Sequence, residues 1–168
     1  MMSYELNSPC AKPSSVSDNN AAGNIIQILA NLPDFLRKPM MQGRLKEFFA
    51  MTEENRRETI AMALAAAPSI DPAKLAVLVK TWLEVIAEFE PEKRSVLFKA
   101  YSQQVLSNPK PVEKLDFTSL TSTFNSLNDR QKEALVDSLH ETLFTLPNRQ
   151  AVISLIPEQT QRALKLTR

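Results

Sequence analysis

The side chains able to do chemistry are few, and their spacing limits what that chemistry could be. His140 is the only histidine and Cys10 the only cysteine. A zinc site at His140 would need carboxylates for all its other ligands. Any triad would have to use His140 as its base. Ser138 and Glu141 stand two before and one after it, on other faces of a helix. The spacing Asp137-x-x-His140 occurs once, whereas a di-iron bundle needs a paired Glu-x-x-His motif. Glu84, Glu88, Glu90 and Glu92 form an acidic cluster, in which Glu84 and Glu88 share one helix face. Such a pair could ligate magnesium or calcium, although a solvated face is the simpler reading. With two glycines, Gly23 and Gly43, neither a dinucleotide fingerprint nor a phosphate loop can be written. The expectation is a protein with no catalytic residues, no metal site and no cofactor, and therefore not an enzyme.

Charge and hydropathy narrow the partners. The net charge of +1 provides no global basic field for nucleic acid or an anionic surface. Residues 53–92 carry eight acids against four bases, and residues 93–114 five bases against one acid. The only basic strip, Lys93, Arg94 and Lys99, is short, so a nucleic-acid partner is not expected. No run of ~18 apolar residues occurs, so no membrane span is expected. Met1 to Cys10 has neither the basic nor the apolar part of a secretion signal. A cytoplasmic location is the default expectation.

Eleven prolines punctuate the chain and define its elements. Residues 1–23 are rich in Ser, Asn, Pro and Lys without apolar periodicity, and read as a disordered tail. Residues 24–168 read as a single α-helical repeat domain, with Asn24 as the first N-cap. Pro39 fits the first turn of a helix through Leu45 and Phe48. Thr52, Asp71, Asp116 and Asn128 are further N-cap candidates, and Asn128 with Gln131 forms a capping-box pattern. Leu75, Val79, Leu83, Ile86 and Phe89 follow at helical spacing, as do Val96, Leu97, Tyr101 and Val105 in the next segment. Asn108-Pro109-Lys110-Pro111 reads as a stiff linker.

A repeat organises these segments. The windows beginning Met51-Thr52-Glu53, Phe89-Glu90-Pro91 and Leu127-Asn128-Asp129 lie at offsets of 38 and 38 residues. Phe48, Ile86 and Phe124 correspond upstream; Ile60, Phe98 and Val136 correspond downstream. A base recurs at Arg56, Arg94 and Lys132, suited to snorkelling over the turn or pairing with a neighbouring acid. A fourth turn, Ile156-Pro157-Glu158, follows Leu127 after only 29 residues. The sequence thus predicts an all-α protein of about eight helices. They would form antiparallel pairs stacked as a degenerate 38-residue helical repeat, either a superhelix or a compact bundle.

The apolar-Pro-Glu turn in Leu155-Ile156-Pro157-Glu158-Gln159 resembles turns in the helical superhelix at the cytosolic N-terminus of MgtE-type magnesium transporters. It is also similar to those of the flagellar motor switch middle domain. The resemblance spans roughly residues 40–167 and departs from those families in its longer unit and in lacking a membrane region. No metal ligand carries over. The resemblance implies a regulatory or protein-contact module.

Large apolar side chains supply the candidate surface. Phe48 and Phe49 are adjacent, about 100° apart on a helix, so one must leave a narrow core stripe. Met40-Met41 poses the same question. The expected function is protein–protein interaction or regulation through an exposed apolar and basic helix face. Met41, Phe49, Trp82 and Arg94 are the candidate contacts, and the partner would be another protein or a second copy. The alternative is a sensor for a small ligand or divalent metal, with a pocket between helices.

Overall fold

The computed structural model describes residues 15–167, with side chains placed from Gly23 onward. Most of the predicted tail, including Cys10, lies outside the described residues. Ten helices and no strand occur among the described residues: α1 (Ser15–Asn31), α2 (Asp34–Ala50), α3 (Glu53–Ala66), α4 (Pro72–Glu88), α5 (Pro91–Ser107), α6 (Lys110–Glu113), α7 (Phe117–Asn125), α8 (Asp129–Thr145), α9 (Arg149–Ser154) and α10 (Glu158–Ala163). A 3-10 turn, Ala67–Ser69, joins α3 to α4.

The caps explain the boundaries. The side chains of Thr52, Asp71, Asp116 and Asn128 each accept the backbone N–H three residues on, at 2.8–3.3 Å. These bonds satisfy donors that a helix start leaves free. Gln131 closes the capping box, its Oε1 accepting Asn128 N–H at 3.1 Å. Pro72 and Pro91 occupy first-turn positions, where a missing N–H costs nothing.

Three expectations shift. Asn24 lies inside α1 and caps nothing, because the helix starts at Ser15. Pro39 lies inside α2, which begins five residues earlier behind Pro33. The Pro109–Pro111 stretch folds into the four-residue α6, since proline is compatible with a first helical turn. This adds one short helix that the sequence did not mark, and the described residues hold ten helices where about eight were expected.

Helices two apart in sequence pack side by side more closely than successive ones do. One layer holds α1, α3, α5 and α8; the other holds α2, α4 and α7, with α10 against α7. Helix α4 bridges the layers through contacts with α1 and α8. The most deeply buried apolar side chains, Ile60, Val85, Ile86 and Leu97, lie on α3, α4 and α5. Successive helices meet at their turns and diverge beyond them.

Candidate functional site

The turns account for the recurring base. The last carbonyls of any helix lack intrahelical donors and carry the negative end of its dipole. Arg56 reaches back over its turn: Nε donates to Phe48 O at 3.2 Å and Nη2 to Phe49 O at 2.8 Å. Arg94 does the same at the end of α4, donating from Nη1 to Ala87 O at 3.2 Å and to Phe89 O. Its Nε also donates to the buried Ser138 hydroxyl at 2.7 Å, tying α5 to α8. Two further turns use the device. Arg37 Nε donates to Leu29 O at 3.0 Å and Nη2 to Leu32 O, while Nη1 pairs with Asp34 at 2.5 Å. Gln161 Nε2 donates to Ile153 O at 3.1 Å and Ile156 O at 2.7 Å. The shared signal is a long donor five residues after the apolar turn residue: Leu32, Met51, Phe89 and Ile156. Lys132 occupies that position after Leu127 but, among the described residues, pairs only with Asp129, at 3.6 Å.

This settles where the candidate contact residues lie. Arg94 is buried, 7% exposed, and its guanidinium is committed to carbonyls and Ser138 rather than to any open face. Phe48 points into the core, and Phe49 bridges to the next turn. The Phe49 ring stands edge-on to Phe89 at 5.1 Å, with Lys93 Nζ 5.4 Å above it. Of the methionine pair, Met41 is buried and Met40 exposed. Trp82 is half-buried, edge-on to Tyr101 at 5.4 Å.

The acid and histidine candidates have structural partners. Glu88 accepts Lys38 Nζ at 2.7 Å and Gln42 Nε2 at 3.3 Å, joining α4 to α2. The hydrogen bond to Glu88 raises the Lys38 pKa, with burial opposing and Glu84 adding attraction. His140 is exposed, its Nε2 2.9 Å from Leu164 O beyond α10. No group of three potential metal-ligating His, Cys, Asp or Glu side chains occurs among the described residues.

Met41 and Trp82 meet at a different feature. Between the two layers lies a cavity of about 540 Å³, within the range of small-molecule sites, ~300–1,000 Å³. Every helix from α1 to α9 contributes to its wall, as does Leu164 after α10. The wall is apolar almost throughout: Ile26, Met41, Leu64, Trp82, Phe98 and Leu139 are representative. Its charged members, Arg44 and Glu47, are exposed and pair with each other at 3.1 Å. The Thr59 hydroxyl is engaged, donating to Asn55 O at 2.9 Å.

Tyr101 reports the character of this wall. Protein surrounds it, yet part of its surface is open because it fronts the cavity. Burial alone pushes its phenol pKa well above the usual tyrosine value. The sequence signal for Tyr101 was one phenol on the otherwise apolar stripe of α5. No local pattern marked Ala63, Leu64 or Phe98 as neighbours of one space.

The cavity opens to solvent. An apolar occupant would displace water from its wall, a gain of ~25 cal/mol per Å² of apolar surface covered.

A scan against protein-family models, a search of curated proteins and a search of solved structures each returned no match.

Proposed function

We propose that this chain is a non-enzymatic binding module that takes an apolar ligand into the space between its two helical layers. The observation that supports this reading is the cavity of about 540 Å³, walled by nine helices and apolar along nearly all its surface. Burial of apolar surface is the driving force such a wall offers, ~25 cal/mol per Å². Because both layers contribute, ligand binding would fasten one to the other and change the stability of the whole domain. That coupling gives the module a regulatory output. The test is titration with a polarity-sensitive naphthalene dye. Bound dye should brighten and shift Trp82 emission, and Ala63→Phe, which builds into the cavity, should abolish both effects. Absence of dye binding, or binding indifferent to Ala63→Phe in a folded variant, would count against the reading.

A second reading, contact with another protein or a second copy, has its own observation. Ile28, Phe35, Leu36 and Met40 are exposed on α1 and α2, with Phe35 76% exposed. Clusters of exposed large apolar side chains mark interaction surfaces. Light scattering on Phe35→Ser tests it: a dimer lost in the variant supports the reading, and a monomer at high concentration in the parent argues against self-association.

A further inference from the structure

The cavity's shape and chemistry narrow its occupant, given the reading that it is the binding site. We infer that it takes a single unbranched aliphatic chain of roughly 14–18 carbons, with the polar head held outward at Arg44 and Glu47.

The wall argues against ligands rich in heteroatoms. Sugars, nucleotides and amino acids need several convergent polar partners, because each buried polar group left unpaired is costly. Here the polar side chains are few. Arg44 and Glu47 sit in solvent at the rim, Thr59 is already bonded, and only the Tyr101 phenol and the neighbouring Ser102 hydroxyl remain on an otherwise apolar wall. An apolar tail can be covered by this wall, while a charged head cannot.

Size argues against a wholly enclosed helix. With side chains a helix is ~10 Å across and advances 5.4 Å per turn, so two turns fill roughly 850 Å³. That exceeds the cavity's volume of about 540 Å³. A methylene takes up about as much volume as a water molecule in the liquid, ~30 Å³, so the cavity accommodates at most roughly 18 carbons.

Shape favours a flexible chain over a compact body. The wall runs from Ile25 of α1 to Leu155 after α9, crossing both layers. A compact body of that volume would be ~10 Å across, one helix diameter, and would not reach all nine helices. A chain that bends between the layers would. At the open rim, a carboxylate head could replace Glu47 on the Arg44 guanidinium. A free fatty acid and a single-tailed phospholipid offer the same chain with different heads.

The test uses the full chain, freed of carried-over lipid by unfolding and refolding. Saturated monocarboxylic acids of 8 to 22 carbons are titrated below their micelle concentrations. Emission is read from Trp82, the only tryptophan and a wall residue. Affinity should rise about fourfold per methylene, level off near 16 carbons and fall by 22. Ala63→Phe should shorten the optimum by several carbons; Val79→Phe serves if that variant does not fold. A single-tailed phospholipid binding as tightly as the acid supports the chain site with an indifferent head. Preference for the acid, weakened at least threefold by Arg44→Gln, supports it with a carboxylate head. Affinity without chain-length dependence, or rising unbroken through 22 carbons, overturns the inference. If the naphthalene dye binds but no chain displaces it, the inference falls and the cavity reading survives. If neither binds, both fall.

Discussion

The turns and the interlayer space are built on opposite terms. At four turns the chain completes its hydrogen bonding, using an arginine or glutamine to close the preceding helix. Between the layers it leaves about 540 Å³ bounded by apolar side chains. The two regions differ in what satisfies them: the turns are closed by the chain's own donors, while the wall of the space presents apolar surface without a protein partner.

The largest effect should come from breaking a joint. Arg94→Met leaves the Ala87 and Phe89 carbonyls and the Ser138 hydroxyl without their buried donor. The expected loss is about 3–5 kcal/mol in a denaturant titration. Lys132→Met, at the corresponding position of the joint that lacks the device, should cost under about 1 kcal/mol, because its only ion partner is exposed Asp129. Similar losses for the two would break the comparison.

Filling the space should act in the other direction. Ala63→Phe, measured without ligand, should raise stability by about 0.5–2 kcal/mol. A loss above about 1 kcal/mol would mean the wall is as tightly packed as the joints.

Tyr101→Phe tests how shielded the wall is. With the folded pKa raised, the phenol keeps its proton in the folded state while the unfolded chain ionises above pH 10. The parent should therefore lose stability as pH rises past 10, by up to about 1.4 kcal/mol per pH unit. The variant should lack that part of the decline and match the parent near pH 7. Identical profiles would show that water reaches the phenol freely.

The smallest effect is a control on the outer surface. A Cβ added at Gly43, inside α2, meets nothing within 4 Å. Gly43→Ala should add about 0.5–1 kcal/mol by removing backbone freedom from the unfolded chain. It should leave ligand binding untouched.

The two regions also differ in how far the amino-acid sequence reveals them. Thr52, Asp71, Asp116 and Asn128 could be recognised as caps because a cap bonds its own neighbours three residues on. The recurrence of Arg56 and Arg94 was equally plain, but not their task, which needs the turn folded back before the target carbonyls come within reach. Arg94 therefore read as a candidate surface base when it is among the buried residues. Adjacency showed that one of Phe48 and Phe49 must leave the core stripe but not which; Phe49 is the less buried of the two, and it packs on Phe89 of the next turn. The cavity left no mark in the pattern. An apolar stripe facing a hollow has the same periodicity as one facing another stripe, so Met41 and Trp82 could only be called large and apolar.

The backward-reaching donors have a further consequence, for cooperativity. A helix ordinarily frays from its C-terminal turn, one residue at a time. Where Arg56 or Arg94 holds that turn, fraying also breaks bonds made by the first turns of the following helix, so neighbours must open together. Amide protons of α2 and α3 should then exchange as one block, and those of α4 and α5 as another. Across the junction of α7 and α8, where Lys132 makes no such clasp, the two helices should open independently.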